Sequence, residues 1–393
     1  MEAHCVTFAD RTKTLQPEGA YHVLARAQSL EAMGREIIHL EIGQPDFDTI
    51  ASVREAGIDA IRAGHTRYNP PAGIPALRAA IAEDAGRRRG LEFSPEQVVI
   101  SPGAKPNLFF PVLALIDPGD EVIYPDPGFP TYVAMIQIAG GVPVPVPLDE
   151  SRGFSFDMQV MHDRVGPRTK LIIVNSPGNP TGGVMELGEM EQIAALAQEH
   201  DCWVMSDEIY SRLHYLDGEL PSLLSLPGML ERAILVDGFS KTYAMTGWRL
   251  GYGVMPTALA ERVALLLTHS IGCTAHFTQY AGLEAISGSQ EEVDAMVSVY
   301  RARRDLLVSG LNQIPGVSCA LPQGAFYAFP NVSSFGYSSQ DLADRILEEA
   351  GVALLPGTSF GKNGEGYLRI SYANSLENIE RALAKLAALF QAL

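Results

Sequence analysis

The residues best suited to chemistry fall in one stretch, Asp237 to Tyr252, which reads DGFSKTYAMTGWRLGY. A short apolar run, Ala233 to Val236, leads into Gly238, Ser240 and Lys241, and Trp248 and Arg249 precede a second apolar run. Glycines at 238, 247, 251 and 253 let the backbone turn tightly or approach another group closely, so the Lys241 amine can sit in a pocket at a strand end. Burial favours the neutral amine, which is a nucleophile able to form a Schiff base with a carbonyl. Taken by itself, Lys241 also reads as an ordinary half-buried lysine whose amine reaches water.

A second candidate is the turn Ser101 to Lys105 with Pro106 behind it. It follows an apolar run at Val98 to Ile100, and Pro106 suits the first turn of a helix because its missing N–H costs nothing there. The free amides at such a helix start form an anion site suited to phosphate. Tyr68 lies among Asn69, Pro70 and Pro71 in a segment that cannot be helical, so its hydroxyl either packs locally or reaches a neighbouring site.

These residues need a scaffold, and the chain supplies one by alternation. Short apolar runs at Glu121 to Tyr124, Val142 to Val146, Leu171 to Val174 and Cys202 to Ser206 predict strands, interleaved with helical patterns such as Thr131 to Ala139. Alternating strands and helices imply an α/β fold, a mostly parallel central sheet with helices on both faces and a ligand crevice at the strand ends. The loops leaving those strands read DPGFPTY, NSPGNPTGG, SDEIY and DGFSK. Upstream, helical spacing runs from Tyr21 to Met33 with Gly34 as C-cap, and a strand is expected over Ile37 to Ile42. Asp48 or Thr49 is placed to cap a helix at Val53 to Ala63, and Pro75 opens another in which Leu77, Ala80 and Ile81 face inward.

The C-terminal part changes character: helices at Glu291 to Leu311, Gln340 to Glu349 and Leu376 to Phe390, with strands at Val352 to Leu355 and Tyr367 to Ser371. We expect this α+β part, 286–393, to join the N-terminal segment 1–47 as a smaller domain beside a large domain spanning 48–285. The polar segment Met1 to Arg11 is expected to be loose.

The 393 residues are 47% apolar and 19% charged, the composition of an ordinary globular protein of about two domains. A net charge of −17 argues against nucleic acid or an anionic membrane as the main partner and leaves small anions free to bind a local pocket. Cys5, Cys202, Cys273 and Cys319 make no CxxC pair and fit free thiols. With no secretory signal and no apolar run near the roughly 20 residues of a membrane span, a cytoplasmic protein is expected.

With its loops assembled in order, the chain resembles the class I/II aminotransferases, pyridoxal-5′-phosphate enzymes of fold type I similar to aspartate aminotransferase, from Ile42 to Ser371. The resemblance implies that Lys241 of FSK forms the Schiff base with the cofactor and that Asp207 of SDEIY lies beside the pyridine nitrogen. A carboxylate there keeps the nitrogen protonated, and the cationic ring then accepts electrons from the substrate. It implies that Tyr210 and Asn179 of NPTG meet the cofactor's 3-oxygen and that Phe129 of DPGFP stacks on its ring. Phosphate binding falls to Gly103, Ala104, Lys105, Ser240 and Arg249, with Tyr68 reaching across from the second subunit of a homodimer. Arg369 of YLRISYA resembles the clamp on the substrate α-carboxylate, helped by Asn179 and the backbone of Gly43.

The implied reaction is a ping-pong transfer of an amino group between an L-amino acid and a 2-oxo acid. Two departures bear on detail. Gly238 stands where some relatives carry a phosphate-binding serine, and no arginine occurs in Thr268 to Tyr280, where some aspartate-specific relatives place one. Lys105 occupies a position that in certain relatives meets an acidic side chain, which leans toward a dicarboxylic substrate. The competing readings are another reaction on the same scaffold, a carbon–sulfur lyase, an amino-acid oxidase or a cyclase, and a non-catalytic cofactor-binding regulator.

Other features read as structure. GTSFGKN, Gly357 to Asn363, has the wrong spacing for a P-loop. The nine histidines show no metal-binding spacing, so no metal is expected. Arg87, Arg88 and Arg89 read as a solvated helix end. Asp207 and Glu208 are adjacent on a strand, so only one can face the site.

Overall fold

The computed structural model describes residues 7–13, 15 and 17–393. Cys5 and the first part of the polar segment Met1 to Arg11 lie outside the described residues. The strands run in chain order as β1 (Ile38–His39), β2 (Val98–Ser101), β3 (Glu121–Asp126), β4 (Val142–Asp149), β5 (Ser155–Phe156), β6 (Thr169–Asn175) and β7 (Trp203–Asp207). They continue as β8 (Ala233–Gly238), β9 (Gly251–Val254), β10 (Tyr327–Ala328), β11 (Val352–Ala353), β12 (Leu355–Pro356) and β13 (Leu368–Ser371). The first helices are α1 (Asp10–Lys13), α2 (Gly19–Ala32), α3 (Ala51–Arg62), α4 (Pro75–Arg89) and α5 (Lys105–Leu115).

Eight strands form one sheet in the order β2-β9-β8-β7-β6-β3-β4-β5. The run β8-β7-β6-β3-β4 is parallel, β9 is reversed between β8 and β2, and β5 is an antiparallel edge. The sequence accounts for this. β2, β8 and β9 are buried along their whole length, which requires helices on both faces. Along β8, Ala233 and Leu235 enter one core with Leu77 and Ile81 of α4, while Ile234 and Val236 enter the opposite core with Leu108 of α5. Each such side chain contributes about 1.5–3 kcal/mol on full burial. The expected α/β architecture is therefore present, and the C-terminal edge of β6, β7 and β8 delivers Asn175, Asp207 and Gly238 to one place.

A separate core joins the two ends of the chain. β1 pairs with β11 in parallel, β13 lies between β10 and β12, and the helices Glu291–Leu311 and Leu376–Gln391 cover them. The expected strand over Ile37 to Ile42 shrinks to Ile38–His39, because only those residues find a partner strand. The proposed caps Asp48 and Thr49 do not cap α3, whose N-cap is Ile50 without a side-chain bond. Thr49 is used elsewhere: its hydroxyl donates to the Ala244 carbonyl at 2.7 Å and accepts from Trp248 Nε1 at 3.0 Å.

The arginine run is a second correction. Arg87 is exposed, but the Arg88 and Arg89 side chains are only 7% and 3% exposed. Arg89 donates to Glu208 at 2.6 Å, and Glu208 also accepts from Ser206 and Ser222. Glu208 thus turns away from Asp207, as strand alternation requires, and anchors α4 beneath the loop that follows β7. Helix-end periodicity carried no information about this long-range partner. GTSFGKN folds as two short helical turns, Gly357–Phe360 and Lys362–Gly364.

Removing one member of a buried ion pair strands the other charge, at a cost of about 3–5 kcal/mol. Arg89→Ala is therefore expected to lower unfolding stability by about that amount, whereas Arg87→Ala removes an exposed side chain and leaves its buried partner Asp84 still paired with Arg212, at a cost of about 1 kcal/mol or less. Urea unfolding of the two variants checks the contrast.

Candidate active site

The C-terminal sheet edge and the second core enclose a cleft of about 1320 Å³. Lys241 enters it from a single helical turn, Phe239–Thr242, that follows β8 directly. The residue borders the open cleft, but its amine points inward and donates to the Gly43 carbonyl at 2.5 Å. Burial pushes this amine down to about 8, and the neighbouring cations Arg369, Arg249 and Lys105 push in the same direction. Those four groups give a protein of net charge −17 a locally cationic cleft. The pocketed, depressed amine expected from the sequence is present.

Asp207 ends β7 and is 4% exposed. Burial pushes its carboxyl up to about 6; the Tyr132 hydroxyl, donating at 2.7 Å, and the Ile209 amide oppose that rise. Tyr132 lies three residues after Phe129, on the helix Thr131–Ala139, and their rings meet edge to face at 5.8 Å. One strand-to-helix turn therefore supplies both an aromatic wall and a partner for the carboxylate.

Tyr210 also lines the cleft, and its hydroxyl is 2.8 Å from that of Tyr327. Asn179 is positioned by its own amide, which donates to Asn175 Oδ1 at 2.8 Å. Arg369, on β13, is 4% exposed, lies 4.6 Å above the Tyr327 ring, and has its Nη1 3.4 Å from Asn179 Oδ1. Its Nη2 donates to the Glu41 carbonyl, while its Nε has no partner among the described residues. A buried guanidinium with an unused donor is prepared for a planar anion. Gly43 is tightly constrained: a Cβ there would lie 2.2 Å from the Tyr327 hydroxyl.

The anion cradle expected at the start of α5 is built from three elements. Ala104 is the N-cap and Lys105 the first helical residue; Pro106 has no N–H and the Asn107 amide donates to the Ala104 carbonyl at 2.9 Å, which leaves the Ala104 and Lys105 amides without a helical acceptor. Gly103 has φ 83°, and a Cβ there would come within 2.3 Å of Arg249 Nη2. Arg249 itself has φ 53°, a strained conformation for a residue other than glycine, and its Nη1 donates to Thr246 O at 2.9 Å. Ser240 is buried beside Lys241. A Cβ on Gly251 would lie 2.4 Å from the Ala104 amide nitrogen, so β9 presses this turn from behind. A phosphate on this cradle and an aldehyde near Lys241 match the donor set of pyridoxal 5′-phosphate.

Tyr68 stands apart from the cleft, whereas Gly103, though not itself a lining residue, lies between Pro102 and Ala104, which are. Tyr68 is 95% exposed, on a loop made rigid by Asn69, which donates to the Thr274 carbonyl at 2.8 Å and accepts from Gln279 at 2.9 Å. The sequence reading missed Tyr327, Tyr132 and Glu18. Tyr132 stood within DPGFPTY and was legible as a helix-register neighbour of Phe129, whereas Tyr327 sits in an apolar segment, GAFYAFP, with no polar signal around it.

Fold and cleft together define a class of enzyme, and comparison with known proteins agrees. Residues 35–386 match the family Aminotransferase class I and II. The chain is 40% identical to the putative aminotransferase YugH of Bacillus subtilis, over 96% of this chain and 97% of that protein. It is 39% identical to the probable aspartate/prephenate aminotransferase of Aquifex aeolicus, over 96% and 97% of the two chains. The solved aspartate aminotransferase of Thermus thermophilus with maleate superposes with a TM-score of 0.94 at 39% identity, covering 98% of this chain and 100% of that one. The protein belongs to the class I and II aminotransferases: it is an aminotransferase of the aspartate aminotransferase-like fold type I, a family that uses pyridoxal 5′-phosphate. No described helix is long and apolar enough to cross a membrane.

In the cofactor-free protein, acylation of Lys241 by acetic anhydride, normalised to a free-amine standard, is expected to rise with pH through a midpoint of about 8. The sign follows from chemistry, since only the neutral amine attacks and it predominates above that midpoint. Peptide mass spectrometry across pH 6 to 11 reads the profile as roughly sigmoidal; a midpoint near the ordinary lysine value contradicts the burial argument.

Proposed function

We propose that the protein binds pyridoxal 5′-phosphate in this cleft and transfers an amino group between an L-amino acid and a 2-oxo acid by a ping-pong mechanism, with Lys241 as the proton carrier. The observation that carries the reading is convergence: a depressed amine, a buried carboxylate and a buried guanidinium with an unused donor face one cleft. Bound there, the cofactor supplies an aldehyde for condensation with an amine and a cationic ring that takes up the electron pair left at the substrate α-carbon.

The chain's own residues do the rest. Arg249, Ser240 and the amides of Gly103, Ala104 and Lys105 hold the phosphate, and Phe129 packs against the ring. Asp207, whose carboxylate accepts from Tyr132, would pair with the cofactor's ring nitrogen and favour its protonated form. Tyr210, bonded to Tyr327, and Asn179 donate toward the ring oxygen. Arg369 would grip the substrate α-carboxylate with its forked donors and so orient the substrate in the cleft. Lys241, whose burial-lowered pKa of about 8 makes the neutral amine far more accessible than in an ordinary lysine, would remove the α-proton and return one on the other side of the exchange.

The assembly we propose is a homodimer in which Tyr68 from the second copy completes the phosphate site. The support is a rigid loop that presents a ring its own chain leaves uncovered. Two cores lie almost wholly within a large cofactor-binding domain over 48–285 and a third mostly within a smaller domain of 1–47 with 286–393, to which Tyr210, Leu213 and Tyr215 also contribute; the free thiols Cys202, Cys273 and Cys319 fit a cytoplasmic setting.

A panel of single amino acids added to cofactor-loaded protein, without an acceptor, tests the reaction. Transfer gives one 2-oxo acid per site and then stops; sustained ammonia release indicates a lyase, or an oxidase if oxygen is consumed. Lys241→Ala is expected to retain cofactor, read by absorbance, and to lose turnover by about 10²–10⁴-fold or more. Arg369→Ala removes two or more charged hydrogen bonds and is expected to raise the donor KM about a hundredfold, with unchanged KM as the contrary result.

A further inference from the structure

Resting on the reading above, the side-chain end of the cleft points to which donors it accepts. Lys105 is the first residue of α5, it lines the cleft, and its amine stands 5.2 Å over the Phe129 ring. A free lysine there is the natural partner for the second carboxylate of a dicarboxylic substrate, the lean drawn from the sequence. In the fold, however, Lys105 is not free: its amine donates to Glu18 Oε1.

The geometry around Glu18 shows that this pairing is built. Glu18 is the N-cap of α2, with extended backbone, yet its carboxylate makes no bond to the helix it caps. It swings across the cleft mouth to Lys105 instead, forgoing the local cap that a carboxylate at a helix start ordinarily favours. The side chain is 31% exposed, and the Lys105 side chain 47%. The next residue, Gly19, is packed so closely that a Cβ would meet Ser359 Oγ at 2.5 Å, and Ser359 belongs to the turn Gly357–Phe360 between β12 and β13. This contact ties the start of α2 to the segment leading to Arg369. Glu18 also acts on the reactive groups through space, its negative charge opposing the fall of both Lys241 and Arg369. Beside it, Ala20, Tyr21 and Leu24 present an aromatic and aliphatic wall.

We propose that Glu18 is a specificity-determining residue: by occupying the Lys105 cation at the mouth of the cleft, it disfavours dicarboxylic amino and oxo acids and favours donors whose side chains carry no negative charge. A substrate carboxylate reaching for Lys105 must displace Glu18 or lie against it, and like charges in contact discriminate strongly. An exposed ion pair contributes little to folding, so its effect is on choice of ligand rather than on stability. An uncharged side chain leaves the pair closed and packs against Tyr21, Leu24 and Phe129.

The test compares the wild type with Glu18→Gln, which keeps size and hydrogen bonding and removes the charge. Two readouts are taken on cofactor-loaded protein: the ratio of kcat/KM for aspartate to that for leucine, and the Kd of succinate, a dicarboxylate with no amino group to transfer, by calorimetry. Glu18→Gln is expected to raise the ratio about tenfold and tighten succinate by a similar factor. Adding Lys105→Gln to Glu18→Gln is expected to cancel both gains, because the unmasked cation is their cause. A ratio and a Kd within about twofold of wild type in Glu18→Gln overturn the proposal, as does a gain that survives the second substitution. If no amino acid transfers its amino group, the proposed reaction fails, and the succinate measurement still decides the role of Glu18.

Discussion

The burial of one amine organises the molecule. Lys241 lies at the end of the fully buried strand β8, and an ammonium enclosed there is disfavoured by desolvation and by Arg369, Arg249 and Lys105 around it. The fold favours the neutral amine by burying it beside other cations, with the Gly43 carbonyl accepting its N–H and no carboxylate in direct contact among the described residues. A carboxylate close to Lys241 would lock the charged form and remove the base. Asp207, by contrast, is turned toward Tyr132, and Glu208 is turned away to Arg89. The distribution of acids around the cleft is thus as consequential as the position of the lysine.

The sheet makes that distribution possible. Parallel β6, β7 and β8 end at one edge, so residues far apart in sequence, from the loops of Asn179, Asp207 and Lys241, meet without any long-range design beyond strand register. The reversed strand β9 then returns Gly251 against the turn at Gly103 and Ala104, and the missing Cβ atoms allow Arg249 to lie across that turn. Strain is concentrated in the same place: Ala244 and Arg249 both have positive φ, at 50° and 53°. The surrounding β8, β9 and Thr49 contacts hold the loop in that conformation.

The second core contributes the other half of the cleft. Arg369 on β13, Tyr327 on β10 and the Gly43 segment after β1 come from both ends of the chain, joined by the pairing of β1 with β11. Donor recognition therefore depends on how the N-terminal and C-terminal segments assemble. The α2 start, with Glu18, is carried by the same body and closes the cleft from that side.

Much of this was legible before folding. Alternating apolar runs and helical patterns marked the sheet, with most strand and helix positions within a few residues, because burial on both faces leaves unmistakable runs such as AILV before Gly238. The loops after those strands carry Phe129, Asn179, Asp207, Tyr210 and Lys241, which the family resemblance singled out and the fold brings to one cleft. What the linear chain could not express were contacts between distant segments. Arg88 and Arg89 looked solvated because helix periodicity is blind to Glu208, just after β7, and Asp237 on β8. Thr49 looked like a cap because its true partners, Ala244 and Trp248, are about 200 residues away. Lys105 looked like a free cation because Glu18 lies 87 positions earlier. Local propensity and burial pattern determine which elements form and what their loops carry; only packing decides which charges meet, because electrostatic pairing depends on distance in space and not along the chain.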